Sequence, residues 1–195
     1  MDKILNEIKT YAHQNKVPII LDDTVNLLDV LLRLVKPKNI LEIGTAIGYS
    51  AIIMAQTLCD GGRIDTIEIN PDMVDKAWVN IEDAGLKKVI RVLEGDAVEI
   101  LPNLNGEYDV IFVDAAKSKY IEFLPQCIRL VKENGLIISD NVLYKGMTKG
   151  SECVRHKQRT AVTQLREYLK SLEEHTQLKT TLIPIGDGLA LSIKI

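Results

Sequence analysis

The stretch from residue 40 to residue 55, ILEIGTAIGYSAIIMA, restricts the possible folds of this chain more than any other segment. Its first four residues are apolar except for Glu42, as expected of a short buried parallel strand. Gly44 and Gly48 interrupt the apolar run, and from Tyr49 onward the apolar spacing is helical. A strand, a glycine turn and a helix in this order begin a nucleotide-binding βαβ unit, in which the backbone approaches a ligand closely and the helix N-terminus offers free N–H donors.

The spacing of the glycines restricts the kind of nucleotide. The dinucleotide fingerprint G-x-G-x-x-G, started at Gly44, requires glycine at two positions where this chain has Ala46 and Tyr49. An NAD-dependent oxidoreductase is therefore disfavoured. The pattern E-x-G-x-x-x-G, formed by Glu42, Gly44 and Gly48, is instead typical of class I methyltransferases that bind S-adenosylmethionine (SAM). An ordinary strand–helix turn of an α/β protein is the alternative that this stretch alone leaves open.

Strands and helices are predicted to alternate after this turn. The further strands are predicted at residues 63–69, 89–95, 108–114 and 135–141, and the helices at 49–58, 71–84, 97–101 and 118–132. This alternation predicts an α/β fold with a Rossmann-like, doubly wound, mostly parallel sheet and helices on both faces. Right-handed crossovers place the carboxyl ends of the strands on one edge, where ligands bind.

The two ends of the chain are predicted to add helices and a hairpin. Apolar spacing predicts helices at 2–15 and 22–35, the second capped by Asp22 or Asp23, and these form an N-terminal helical cap over 1–36. A charged helix is predicted at 154–174. Two β-rich runs on either side of Gly186–Gly188 predict a C-terminal antiparallel hairpin at the sheet edge. A length of 195 residues fits a single domain over 1–195.

Acidic residues at two strand ends are candidates for nucleotide contacts. Glu68 ends the second strand, 24 positions after Gly44 (68 − 44). A carboxylate at this strand end accepts hydrogen bonds from ribose hydroxyls, and an exposed strand-end charge is the alternative. Asp96 follows the third strand, where it can cap the next helix, hydrogen-bond an adenine amino group, or do both.

Oxygen-bearing side chains at two further strand ends predict a cation site. Asp114 ends the fourth strand and Asp140 with Asn141 ends the fifth, and hard oxygen donors suit Mg²⁺, or Mn²⁺ and Ca²⁺. A simple turn after the fifth strand is the alternative. Lys117, three residues after Asp114, is either a solvated lysine or a base, since a neighbouring divalent cation lowers the pKa of an amine. Tyr120, one turn further on, is expected to line the same pocket.

Composition excludes few classes of protein. A net charge of −3 argues against a globally basic nucleic-acid binder but not against a local basic patch. Cys59, Cys127 and Cys153 are far apart without metal-ligand spacing, so they are interpreted as reduced thiols of a cytoplasmic protein. The charged N-terminus has no apolar signal core, and no stretch approaches the roughly 20 apolar residues of a membrane span.

Taken together, the motifs resemble those of the cation-dependent O-methyltransferases, the family of the catechol and caffeoyl-CoA enzymes. EIGTAIGYS, the strand end at Glu68, GDA, FVDAAKSKY and SDNVLYKG occur in that family's order, and the resemblance spans about residues 17 to 195. It implies that Asp114, Asp140 and Asn141 hold the cation and that Lys117 is the catalytic base. It also implies a set of residues that contact SAM: Glu42, Gly44, Gly48, Ser50, Glu68, Asp96, Ala97 and Asp114.

Within this family, the chain most resembles a bacterial branch that methylates 5-hydroxyuridine at the wobble position of tRNA. The segments that carry this resemblance are VPII, EIGTAIGYSAI, DNVLYKG and IPIGDGLALS. The chain begins close to VPII, so an N-terminal portion present in many relatives is expected to be shortened. The resemblance also implies a homodimer, and the apolar faces of the first two helices agree with that expectation.

Three hypotheses about function follow. The first is a tRNA methyltransferase that holds the phosphates of the anticodon loop with five basic residues, Lys145, Lys149, Arg155, Lys157 and Arg159, which otherwise form an ordinary solvated face. The second is an enzyme for small catechol-like or CoA-linked phenols, which shares all the chemistry and differs only in its pocket walls. The third, a SAM-binding protein without catalysis, is disfavoured because the candidates for both cation site and base are intact.

Overall fold

The structure, a computed structural model, describes residues 1–143 and 159–195. The contacts divide the chain into two compact units, Met1–Ile100 and Leu101–Ile195. Each unit contains parallel strands with helices packed against them. The single methyltransferase domain expected from the sequence stays a prediction.

The first unit contains the predicted βαβ repeat. Its strands are β1 (Asn39–Ile43), β2 (Arg63–Glu68) and β3 (Ile90–Glu94), and its helices are α1 (Asp2–Asn15), α2 (Asp22–Val35), α3 (Tyr49–Ala55), α4 (Pro71–Asp83) and α5 (Ala97–Ile100). The three strands are parallel in the order β3-β2-β1. Each strand lies within about a residue of its predicted position, and α3 ends three residues earlier than predicted. The alternation of strand and helix is therefore confirmed in this unit.

The two N-terminal helices pack on α3, and α1 also contacts α4. They bury an apolar stripe each, which includes Ile8 and Ala12 on α1 and Leu28 and Leu32 on α2. The prediction that an aspartate caps α2 is wrong, because Leu21 occupies the cap position and α2 begins at Asp22. The Asp22 carboxylate instead accepts a hydrogen bond from Lys9 Nζ at 2.5 Å, which links the two helices.

The second unit combines a parallel strand pair with an antiparallel hairpin. Its strands are β4 (Tyr108–Val113), β5 (Val131–Ser139), β6 (Leu178–Ile183) and β7 (Leu189–Lys194), and its helices are α6 (Tyr120–Leu130) and α7 (Arg159–Glu174). The β4–β5 pair is parallel, and β7 is antiparallel to both β5 and β6, in the order β4-β5-β7-β6. The predicted C-terminal hairpin is thus confirmed.

Two boundaries in this unit differ from the prediction. The segment Lys117–Lys119 forms a 3₁₀ turn before α6, where the sequence predicted continuous helix from residue 118. Strand β5 begins at Val131, four residues before the predicted start at Gly135, because the chain passes directly from α6 into the strand. The early part of β5 is irregular: Asn134 has φ 61°, and the register with β4 shifts there.

The predicted helix start at Val154 lies outside the described residues. None of the helices in residues 1–143 and 159–195 has the length and apolar composition of a membrane-spanning segment.

Candidate active site

The glycine turn between β1 and α3 has the backbone geometry that the sequence predicted. Gly44 has φ 102° and Gly48 has φ 84°, conformations that side chains rarely adopt. The turn is held against the end of β2, because the amides of Gly44 and Thr45 both donate to the carbonyl of Ile67, at 2.9 and 3.2 Å. Helix α3 begins immediately after Gly48. The N-terminus of α3 and the turn therefore form a preorganised backbone surface in the first unit.

The carboxylate of Glu68 lies at this turn. Its Oε2 accepts a hydrogen bond from the amide of Ala46 at 2.8 Å, and its Oε1 accepts one from the amide of Asn70 at 2.9 Å. Ala46 has φ 45°, an unfavourable conformation for alanine that the bond to Glu68 helps to maintain. Since a carboxylate has about four acceptor positions, Glu68 retains capacity to accept from the hydroxyls of a ribose.

Glu42 and Ser50 are hydrogen-bonded to each other inside the unit. Ser50 Oγ donates to Glu42 Oε1 and Thr66 Oγ1 donates to Glu42 Oε2, both at 2.5 Å. Thr45 Oγ1 lies 2.6 Å from Thr66 Oγ1 and extends the network into the turn. Glu42 has no exposed surface. Its geometry is that of a group that fixes β1, the turn and α3 together, and a direct SAM contact by Glu42 stays a prediction.

Asn80 is a residue of this site that the sequence analysis missed. Its Nδ2 donates to the carbonyl of Ile47 at 2.7 Å, so α4 holds the second half of the glycine turn. Asn80 is 5% exposed. An amide on the buried side of an otherwise apolar helix face was the available signal, because a buried polar group requires a hydrogen-bond partner.

Asp96 and Ala97 lie where β3 ends. The carboxylate of Asp96 accepts a hydrogen bond from the amide of Val98 at 2.8 Å, which confirms the predicted capping role at the start of α5. The amide of Gly95 donates to the carbonyl of Glu68 at 2.8 Å, so the ends of β2 and β3 are joined there. The first unit therefore brings Glu68, Asp96 and Ala97 to adjacent strand ends, as predicted.

The second unit brings together the predicted cation ligands and the predicted base. Lys117 Nζ donates to Asp114 Oδ1 at 3.1 Å, and Asn141 Nδ2 lies 3.4 Å from the same oxygen. The side chains of Asp114 and Lys117 are about one quarter exposed, so solvent reaches both. Asn141 has φ 60°, and its amide donates to Asp140 Oδ1 at 2.6 Å. One cluster thus combines two carboxylates, an amide and an amine.

Asp140 is the most perturbed acid of this cluster. It is 2% exposed, and burial raises the pKa of its carboxyl to about 7. That pKa of about 7 already includes repulsion from Asp114, the second-largest cause, and a smaller effect of Asp187 in the same direction. The Asn141 amide and the Lys117 ammonium oppose the shift. An excess of negative charge in a buried position is the electrostatic environment that a divalent cation would relieve.

Tyr120 is buried and hydrogen-bonded to the backbone that carries the cluster, so the sequence prediction that it lines a pocket is wrong. It is fully buried, and its hydroxyl lies 3.1 Å from the carbonyl of Val113 and 3.0 Å from that of Asp140. Tyr168 packs edge-on against Tyr120, and the Tyr168 hydroxyl lies 2.5 Å from Ser139 Oγ. The two tyrosines therefore tie the ends of β4 and β5 together. Sequence spacing placed Tyr120 on the correct helix turn but could not show which face is buried.

Several predicted groups cannot be placed. Lys145, Lys149, Arg155 and Lys157 lie outside the described residues, and only the backbone of Arg159 is described, as the first residue of α7. Among the described residues, no three or more His, Cys, Asp or Glu side chains form a group that could hold a metal. The cation site inferred here has two carboxylates, and it depends on the Asn141 amide oxygen as a third donor.

Comparison with known proteins identifies the family. The O-methyltransferase family model matches residues 1–195. A catechol O-methyltransferase from Niastella koreensis is 36% identical over 175 residues, which cover 85% of this chain and 77% of that protein. Caffeoyl-CoA O-methyltransferase 3 from Nicotiana tabacum is 34% identical over 201 residues, which cover 99% of this chain and 83% of that protein. This chain therefore belongs to the O-methyltransferase family.

Solved structures support the same conclusion and add the cofactor. An O-methyltransferase from Bacillus cereus in complex with S-adenosylhomocysteine has a TM-score of 0.89 at 26% identity and covers 100% of this chain and 92% of its own. The TomG O-methyltransferase from Streptomyces achromogenes in complex with SAM has the same TM-score and identity, with 100% and 90% coverage. The chain thus has the Rossmann-like α/β fold of these enzymes and is a SAM-dependent O-methyltransferase.

Proposed function

We propose that this enzyme transfers the SAM methyl group to a hydroxyl of a small catechol-like or CoA-linked phenol, and that the transfer depends on a divalent cation. The observation that carries the cation dependence is the cluster of Asp114, Asp140 and Asn141 with Lys117 beside it. The named relatives support the substrate class, since they include catechol and caffeoyl-CoA O-methyltransferases. They favour this hypothesis over tRNA, which stays an alternative without support from the described residues.

The donor set suits Mg²⁺, with Mn²⁺ as a substitute, because all three ligands are oxygen atoms. When bound, the cation supplies Lewis-acid stabilisation of negative charge on the substrate oxygen. Asp114 and Asp140 would hold it with their carboxylates, and Asn141 would hold it with its amide oxygen. Lys117 Nζ, which lies beside Asp114, would as the neutral amine take the proton of the substrate hydroxyl. The chain would also hold the SAM methyl group in line with the substrate oxygen that attacks it.

The first unit is proposed to bind SAM. Gly44 and Gly48 let the backbone approach the cofactor, Glu68 accepts from the ribose hydroxyls, and Asp96 with Ala97 contacts the adenine. Glu42 and Ser50 are proposed to act through the turn that they stabilise. Asp114 is proposed to contact SAM as well as the cation.

The substrate class is tested by parallel assays with labelled SAM and Mg²⁺ on catechol, caffeoyl-CoA and tRNA that carries 5-hydroxyuridine. We expect kcat/KM for one of the two phenols to exceed that for the tRNA by at least about 100-fold, the order of discrimination that apolar pocket contacts alone can supply. Methylation of the tRNA without turnover of either phenol would replace the proposal by the alternative.

Replacing Glu68 should weaken SAM binding. A hydrogen bond to a charged group contributes about 1.5–3 kcal/mol, so Glu68→Gln is expected to lower SAM affinity by about 10- to 150-fold. Glutamine keeps an acceptor for the amide of Ala46 and so preserves the turn. Glu94→Ala is the matched control, because Glu94 is the register partner of Glu68 on β3 and is exposed. Calorimetric titration with SAM measures both variants, and equal affinity of Glu68→Gln and wild type would refute the ribose contact.

The affinity for the cation should fall at low pH, because Asp140 becomes protonated there. Since the pKa of Asp140 is about 7 in the folded chain, protons compete with the cation below that pH. We expect Mn²⁺ affinity to fall by about tenfold per pH unit between pH 7 and pH 5 and to level off above pH 8. Electron paramagnetic resonance of free Mn²⁺ gives the affinities. In Asp140→Asn the residual affinity should lose this slope, and an unchanged slope would assign it to another group.

We also propose that the enzyme is a homodimer that uses α2. Val30 and Leu34, one helical turn apart on α2, are 55% and 75% exposed in the first unit. Leu34→Glu should convert the dimer into a monomer at micromolar concentration, because the dimer would bury a charge in an apolar contact. The molecular mass in solution should then fall from that of two chains to that of one. Val79→Glu is the control, as Val79 is 50% exposed on α4. Light scattering that finds wild type at the mass of one chain would contradict the proposal.

A further inference from the structure

The segment that carries Asp140 and Asn141 is fixed at both of its ends by β7 and the turn before it. Strand β5 pairs with β7 in a regular antiparallel register that ends with Ser139 opposite Ala190. Beyond that pair, the amide of Val142 donates to the carbonyl of Gly188 at 2.9 Å, and the amide of Leu143 donates to that of Asp187 at 3.0 Å. The turn between β6 and β7 therefore holds the two residues that directly follow the proposed ligands in the chain.

These ligands lie in an irregular segment directly after the β5–β7 ladder, which has one extra residue as in a β-bulge. Two residues before Ala190 is Gly188, and two residues after Ser139 is Asn141, so an unbroken ladder would place Asn141 opposite Gly188. Instead, the amide of Val142 donates to the carbonyl of Gly188, so the chain after Ser139 has one residue more than an unbroken register would have. Asn141 accommodates it with φ 60°. Bulges of this kind redirect side chains beside functional sites.

Gly188 permits this close contact because it has no side chain. A Cβ built at this position would lie 2.3 Å from Leu143 Cγ, 2.5 Å from Leu143 Cβ and 2.7 Å from Leu143 Cδ1. These distances are too short for any carbon pair, and Leu143 is buried, so it has little room to move. Gly188 also has φ 88°, which disfavours other residues. Any side chain at position 188 would therefore push the segment from Asp140 to Leu143 away from β7.

We propose that Gly188 is a positioning residue of the cation site, which acts by holding the Asp140–Asn141 bulge in its ligating conformation. The proposal rests on the proposed function, because it takes Asp140 and Asn141 as cation ligands. Gly188 itself would contact neither the cation nor the substrate. It acts through the two backbone hydrogen bonds that begin directly after Asn141.

The test compares Gly188→Ala with Gly85→Ala. Gly85 has φ 71° and open space around its missing Cβ, so its substitution carries similar backbone strain without a clash. Gly188→Ala is expected to lower Mn²⁺ affinity by about 10- to 100-fold, the usual loss when a group that orients metal ligands is changed. SAM affinity should stay within about twofold of wild type, and saturating Mg²⁺ should restore most of kcat. Gly85→Ala should leave Mn²⁺ affinity unchanged.

A second variant separates positioning from a general loss of folding. Leu143→Gly removes all three atoms that a Cβ at position 188 would meet. The double variant Gly188→Ala with Leu143→Gly should therefore bind Mn²⁺ within about threefold of Leu143→Gly alone. Mn²⁺ affinity of Gly188→Ala equal to wild type, or a double variant as weak as the product of the two single losses, would overturn the proposal.

Hydrogen exchange in the metal-free protein tests the positioning independently of the proposed function. The amides of Val142 and Leu143 should exchange at least about tenfold faster in Gly188→Ala than in wild type, because both lose their acceptor carbonyls. Unchanged exchange would overturn the positioning role even if the wild type binds Mn²⁺. If the wild type binds no divalent cation, the cation part of the proposed function fails, and the role of Gly188 in a cation site fails with it. Faster exchange in Gly188→Ala without cation binding by the wild type would then show only a structural contact.

Discussion

Lys117→Ala is expected to lower kcat by about 10²- to 10⁴-fold, with SAM and Mn²⁺ affinities close to those of wild type. This is the usual contribution of a general base that takes a proton in the rate-limiting step. The side chain is in the right place for this role, since its Nζ lies 3.1 Å from Asp114 Oδ1 within the proposed cation site. Steady-state kinetics at saturating Mg²⁺ measures the effect.

Lys119→Ala is the matched control for this prediction. Lys119 belongs to the same 3₁₀ turn, is half-exposed, and pairs with Glu122 on the surface, so its loss should change kcat by less than about twofold. Equal activity of Lys117→Ala and Lys119→Ala would show that Lys117 is a solvated surface residue. That outcome would leave the SAM site untouched and would require another base.

Asp140→Asn is expected to lower Mn²⁺ affinity by at least about 100-fold and to abolish most turnover at physiological Mg²⁺. Changes to groups that only orient ligands cost 10- to 100-fold, so loss of a charged ligand should cost more. Asparagine keeps the acceptor for the amide of Asn141, which the carboxylate now provides at 2.6 Å. Mn²⁺ titration followed by paramagnetic resonance gives the affinity.

The same substitution should not destabilise the metal-free protein. The folded chain raises the pKa of Asp140 to about 7, so it prefers the neutral form. The contribution of Asp140 to the stability of wild type therefore falls as pH rises from about 4 through 7, whereas the neutral asparagine carries no such penalty. We expect the free energy of unfolding of Asp140→Asn at pH 8 to equal or exceed that of wild type. A large loss of stability would mean that the loss of cation binding reflects unfolding.

Most of the fold was predictable because it depends on local pattern. Glycine positions, apolar runs and strand-end acids can all be recognised within short stretches of sequence, and β1 to β5 were predicted from them. Glu68, Asp96, Asp114 and Asp140 each lie at or just after the end of the strand from which they were predicted. The cytoplasmic location inferred from cysteine usage stays a prediction.

The contacts that refine the site were not predictable, because they join residues that are distant in sequence. No spacing rule shows that Ser50 hydrogen-bonds Glu42, or that the Tyr120 hydroxyl reaches the carbonyl of Asp140. Gly188 was interpreted only as part of a hairpin turn. Its closeness to Leu143 depends on the antiparallel pairing of β5 with β7, whereas the sequence predicted only a hairpin at the sheet edge.

The central claim, cation-dependent transfer of the SAM methyl group to a phenol oxygen, is tested most directly with SAM that carries a ¹³C-methyl group. The metal-stripped wild-type enzyme is incubated with this SAM and either catechol or caffeoyl-CoA, with and without Mg²⁺, and the product is followed by NMR. We predict a ¹³C-methoxy resonance on the phenol that forms only with Mg²⁺ and is lost on addition of excess chelator. Full formation of the methoxy product without Mg²⁺ would contradict the claim, as would a labelled methyl group on any atom other than the phenol oxygen.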